Sequence, residues 1–145
     1  TEHRLLYITA PLKEDVHISG TPSITIKASS NKSAVNLSVW LVVLPWTTTP
    51  NARNTDNIIT RGWADLQNSK SLSKSEPLAP GRFYEIRFDL EPDDQIIPSG
   101  KQIGLMIFSS DREFTLWPEP GTRLTVDLNG TSLTLPVVGG AKVFN

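Results

Sequence analysis

Three observations predict an all-β chain folded as an antiparallel sandwich. Apolar and polar residues alternate along several short runs. Turn-forming residues separate those runs at short spacing. No stretch sustains the periodicity of a long helix. In "SITIKAS", Ile24, Ile26 and Ala28 share one face while Thr25 and Lys27 share the other. "FYEIRFDL" alternates more cleanly, with Tyr84, Ile86, Phe88 and Leu90 inward and Glu85, Arg87 and Asp89 outward. "RLTVDL" contributes Leu124, Val126 and Leu128, and "SLTLPV" contributes Leu133, Leu135 and Val137.

Two runs carry apolar residues on both faces. "AVNLSVWLVVLP" has Val35, Leu37, Val39, Leu41 and Val43 on one side; its other side begins with Asn36 and Ser38 and continues as Trp40, Val42 and Leu44. "QIGLMIF" is apolar throughout. Such strands belong at the centre of a sheet, or have their second face covered by a loop or by another domain.

Gly20-Thr-Pro22, Pro80-Gly81, Glu91-Pro-Asp-Asp94, Pro98-Ser-Gly100, Pro118-Glu-Pro-Gly121 and Asn129-Gly130 read as turns. Asn129-Gly130, between two alternating runs, reads as a hairpin. Eleven prolines and nine glycines leave little room for helices; "WADLQNSKSL" is the one weak helical candidate. Residues 45–57, "PWTTTPNARNTDN", read as a long surface loop. About eight strands at this spacing suggest a jelly roll, similar to galactose-binding domains. Residues 1–145 are expected to form a single domain.

With 14 basic and 15 acidic residues, net charge −1, the chain has no basic block for nucleic acid and no basic amphipathic helix for a membrane surface. It has no cysteine, which excludes disulfides and thiolate zinc sites and fits a cytoplasmic location. No apolar run reaches the ~20 residues of a membrane-spanning helix. The start, "TEHRLLYITAP", lacks a signal-peptide pattern and an initiator Met, and reads as a cut inside a longer protein. The sequons at Asn31, Asn36 and Asn129 read as chance matches.

A serine nucleophile needs a histidine base and an orienting carboxylate. Only His3 and His17 are present, and Ser109 and Ser110 lack the G-x-S-x-G elbow. "SSD" at 109–111 therefore reads as the end of the "LMIF" strand, its short polar side chains bonding nearby backbone. No catalytic residue is assigned. Asp93-Asp94 and Glu14-Asp15 read as solvated turn pairs; neither a metal nor a cofactor is predicted.

Arg61, Trp63 and Asp65 place a guanidinium, an indole and a carboxylate within five residues. They could stack on a sugar or peptide. The preferred reading is structural: Trp63 plugs the end of the sandwich and Arg61 pairs with a carboxylate at a domain contact. With Trp40 and Trp117 they form the set of candidate interdomain or ligand contacts. Trp46 and Trp117, each beside a proline, are the candidate platforms for a carbohydrate.

"TRGWADLQNSKSL", "PGRFYEIRFDLEPDDQIIPSGKQIGLMIFSSDREFTLWPEPGTRLTVDL" and "SLTLPVVGG" resemble the C-terminal region of bacterial Xaa-Pro dipeptidyl-peptidases. "PLKEDVHISGTPSITIKASS" fits the same region, so the resemblance spans essentially the whole chain. A looser likeness extends to the wider family of cocaine esterase and α-amino acid ester hydrolases. The resemblance implies a non-catalytic jelly roll that follows an α/β-hydrolase domain in the same polypeptide. It implies an intracellular, homodimeric serine peptidase that removes Xaa-Pro dipeptides from peptide N-termini. The family's serine, aspartate and histidine lie upstream, and none maps onto this sequence. The alternatives are a carbohydrate- or peptide-binding module and the equivalent domain of a related esterase.

Overall fold

The computed structural model describes residues 3–144. Nine strands form three antiparallel groups. β1 (Leu5–Ile8), β8 (Gln102–Phe108), β4 (Asn36–Leu44) and β5 (Ile58–Asp65) make a four-stranded sheet in that order. β6 (Tyr84–Asp89), β3 (Ser23–Ser30) and β9 (Leu124–Thr134) make a second sheet, and β2 (Val16–Gly20) pairs with β7 (Asp93–Ile97) in a ribbon. The ribbon continues the second sheet: Ile18 bridges Val137 just beyond β9, and Ser19 N donates to Pro136 O at 2.9 Å. The result is the two-layered all-β sandwich that the alternation predicts.

One core lies between the layers. The four-stranded sheet supplies Leu37, Val39, Leu41, Ile103 and Ile107; the other layer supplies Val16, Ile18, Ile24, Ile26, Ala28, Ile86 and Ile97. The doubly apolar runs β4 and β8 are the two central strands of their sheet, as their pattern requires. Leu41 is fully buried. Replacing it with alanine is expected to cost about 2 kcal/mol or more through lost transfer energy and a residual cavity, readable as a lower denaturant midpoint.

The expectations that differ are local. "LLYI" forms the extra strand β1, and "DDQII" forms β7 where the acidic pair reads as a turn. The helical candidate is the end of β5 plus one 3₁₀ turn, Leu66–Asn68; β5 sits in a paired ladder with β4, and those bonds override weak helix propensity.

Asn129-Gly130 is not a hairpin. Both flanking runs pair with the same strand: Ser132–Thr134 with Ser23–Thr25, and Leu124–Asp127 with Lys27–Ser30. Residues 128–131 bulge outward between them, which exposes Leu128. A two-residue hairpin of the favoured kind needs positive φ at the turn, and neither residue has it. Local bonds hold the bulge instead: Asn129 N donates to Asp127 Oδ1 at 3.0 Å, Thr131 Oγ1 donates to Asp127 O at 2.8 Å, and Lys27 Nζ meets Asp127 Oδ2 at 2.9 Å. Gly130 is required by close approach, because a Cβ there would lie 2.7 Å from Lys27 Cβ.

The hydrogen bond from Lys27 holds the Asp127 carboxyl below its ordinary 3.8, aided by the Asn129 backbone N–H. The same bond holds Lys27 above its ordinary 10.5. Asp127's share of stability is therefore present above 3.8 and lost as pH falls through the lowered value. Lys27's share is present below 10.5 and lost as pH rises through the raised value. In Lys27→Met, the carboxyl midpoint of Asp127, followed by carbon-13 NMR, is expected to rise towards 3.8; an unchanged midpoint would assign the shift to the backbone alone.

Candidate functional site

The face of the four-stranded sheet that points away from the core is also apolar, and the strand register determines its layout. Residues directly opposite in a ladder share a face. One row across the sheet runs Leu6, Met106, Trp40, Arg61; the next runs Ile8, Gly104, Val42, Ile58. Phe108, Ser38 and Trp63 form a third row. Leu6, Val42 and Leu44 converge over Gly104, where a Cβ would lie 2.9 Å from Val42 Cγ2 and 3.2 Å from Leu6 Cδ1. Val42 and Met106 are thereby buried on the outer side, whereas Leu6 and Ile8 stay exposed.

The aromatic half of this face is tied together by Asp111. Its carboxylate is buried, and Oδ2 accepts from Trp40 Nε1 at 3.0 Å and Trp63 Nε1 at 2.9 Å. The Asp111 backbone oxygen accepts from Thr115 N and Thr115 Oγ1, both at 2.9 Å, which turns the chain back over the sheet. That turn lays Phe114 on Trp63, with ring centroids 5.0 Å apart at 30°. Trp40 meets Phe108 edge to face at 5.4 Å. The Arg61 guanidinium lies 4.5 Å from the Phe114 ring centre and 5.7 Å from each of the Trp40 and Trp63 rings. Asn36 Nδ2 donates to Leu116 O and anchors the far end of the loop.

Trp40, Arg61 and Trp63 are thus brought together. Asp65 shares the outer face of β5 and is exposed, lining a groove of about 290 Å³ with Trp63, Phe114 and Leu116. Trp117 stands on the loop, 63% exposed, with the Arg112 guanidinium 4.1 Å from its ring. Trp46 is half-buried in the 45–57 segment. Trp63 therefore lies on the outside of the sheet rather than plugging the sandwich. Asp111, Phe114 and Leu116 are the members that local pattern reading misses. The signal was present in "DREFTLWP", a loop that carries three large apolar residues straight after an aspartate.

Ser109 and Ser110 line an open cleft of about 780 Å³ at one end of the sandwich, with His3, Arg4, Glu119 and Arg123. Among the described residues no hydrogen bond joins either serine to a histidine. His17 contacts Asp94 on the ribbon instead. Asp111 spends its carboxylate on the two indoles rather than on backbone close to it.

Residues 1–142 match the family described as the X-Pro dipeptidyl-peptidase C-terminal non-catalytic domain. The chain belongs to that family. A protein of Rhodopirellula baltica provisionally named a Xaa-Pro dipeptidyl-peptidase is 63% identical over 140 residues, covering 97% of this chain and 22% of the relative. A Bacillus cereus protein of the same provisional name is 39% identical over 136 residues, covering 94% and 22%. The chain spans about a fifth of the length of these curated relatives. An α-amino acid ester hydrolase structure superposes with a TM-score of 0.76 at 21% identity, covering 94% of this chain and 26% of that one. A Thaumarchaeota aminopeptidase superposes at 0.72 and 18% identity, covering the same shares. These two likenesses show the fold. No helix among the described residues is long and apolar enough to cross a membrane.

Proposed function

We propose that this X-Pro dipeptidyl-peptidase C-terminal domain, a jelly roll, packs on an α/β-hydrolase catalytic domain of the same polypeptide. There it shapes the approach to the active site and supports a cytoplasmic homodimer. The whole enzyme, on this reading, is a serine peptidase that releases Xaa-Pro dipeptides from peptide N-termini. The observation that carries the proposal is the outer face of the four-stranded sheet. Leu6 and Ile8 on β1 are 44% and 56% exposed at one edge of this face, and Phe114 and Leu116, in the loop over β5, are 48% and 87% exposed at the other. Exposed apolar patches of this kind mark surfaces that another body covers, and domain contacts within a chain bury about 600–1,500 Å².

The test is an assay on a chromogenic Ala-Pro substrate. The full-length enzyme is compared with a form truncated before this domain, and the domain is then added back as a separate chain. Loss of activity or stability on truncation, with recovery on addition, is expected. A truncated enzyme of full activity and stability would overturn the proposal.

Trp117, stacked against Arg112, favours a second reading, a platform for a sugar or a proline-containing peptide. Saturable quenching of tryptophan fluorescence in a ligand panel, abolished by Trp117→Ala, is its expected signature. Flat titrations across the panel would remove it.

A further inference from the structure

We infer that the body covering the outer face presents a carboxylate to Arg61, and that this body is the remainder of the same polypeptide. The inference rests on the docking proposal and adds the chemistry of the partner. Arg61 is half-buried on β5 and framed by Phe114, Trp40 and Trp63. Among the described residues no hydrogen bond or ion pair reaches its guanidinium. Asp111, the carboxylate of this cluster, already accepts both indole N–H groups through Oδ2. Asp65 lies four residues along the strand, about 13 Å by rise, and Glu91 and Asp93 line a pocket beside Arg61; among the described residues none of the three forms an ion pair with it.

A guanidinium in this state is tolerable while water reaches its donors. A covering body removes that water, and burying an unpaired cation is far costlier than burying one that meets an acceptor. A cover over Phe114 and Trp63 is therefore most stable when it brings an acceptor to Arg61, an anion above all. A carboxylate fits, because its two oxygens match the fork of the guanidinium. About four-fifths of each related chain lies outside this domain and is available to supply it.

The experiment uses the full-length enzyme and a reporter thiol at Leu116→Cys, followed by peptide-resolved labelling; this domain has no cysteine of its own. Slow labelling of the reporter is expected. Adding Arg61→Met, which keeps the apolar stem over the rings, is expected to speed labelling about tenfold, the scale of one lost charge-assisted bond. Arg61→Lys should recover part of the protection, and 1 M salt should speed the wild-type background more than the Met variant.

A reporter that labels at the rate of a free thiol would sink the docking proposal itself. Slow labelling unaffected by Arg61→Met or by salt would leave docking standing and overturn the carboxylate. Protection that grows with protein concentration would name a second copy as the occupant and overturn the assignment to the same polypeptide.

Discussion

Asp111→Ala is expected to lower the unfolding free energy by about 3 kcal/mol, because two indole donors lose one buried acceptor together. Asp111 is 4% exposed, and its carboxylate serves Trp40 Nε1 and Trp63 Nε1 at once. Each donor left without an acceptor costs about 1–3 kcal/mol, and charge assistance puts the native bonds at the upper end. Part of the loop geometry should survive, since the Asp111 backbone oxygen still accepts from Thr115. The loss should therefore fall on the rings. Emission from Trp40 and Trp63 should shift to the red, and Phe114 should leave its stack. Asp111→Asn, which retains an acceptor oxygen but not the charge, should cost about half as much. Equal denaturation midpoints for wild type and Asp111→Ala would show that the rings hold each other without the carboxylate. In the full-length enzyme the same substitution should loosen the docking face while leaving the core untouched.

Gly62→Val is expected to destabilise by about 3 kcal/mol, against the direction that strand propensity alone implies. A glycine inside a strand is ordinarily a weakness of about 0.5–1 kcal/mol that a β-branched residue would repair. Here the inner face of β5 passes directly against the segment after β6. A Cβ on Gly62 would lie 2.5 Å from Leu90 Cδ2, 3.0 Å from Leu90 Cα and 3.1 Å from Asp89 O. The Leu90 side chain can turn, but the backbone behind it cannot simply retreat, because Leu90 N donates to Pro22 O at 2.9 Å and the next residue's N donates to Arg61 O at 2.7 Å. Overpacking of this kind costs about 1–3 kcal/mol, more where backbone must move. The measurement is the thermal midpoint, expected to fall by about 8 °C for a chain of this size. A rise would mean that the crossing segment yields. The clash also displaces Arg61 and Trp63, the immediate neighbours of Gly62, so labelling at Leu116→Cys should quicken in this variant as well.

The domain corresponds to about a fifth of the length of its relatives. The domain's own composition agrees with its family description as non-catalytic. Its two histidines are far apart in role, one lining the end cleft and the other held by Asp94 on the ribbon.

Much of this molecule was legible in the chain itself. Alternation in β3 and β6 reports the burial of Ile24, Ile26 and Ile86, because a strand turns successive side chains to opposite faces whatever lies beyond them. The doubly apolar β4 and β8 announce central strands, and Trp40, Arg61 and Trp63 announce an unusual outer face. What the chain could not disclose is who meets whom across the sheet. Asp111, rather than nearby Asp65, holds the indoles, at separations of 71 and 48 residues. Strand order decides that pairing, and local pattern carries no record of strand order. The same holds for Asn129-Gly130, whose local preference for a turn yields to the ladder with β3 on both sides of the bulge. Gly62 shows the reason most plainly. Its lack of a side chain answers to Leu90, a residue 28 positions away that only the closed sandwich brings within contact.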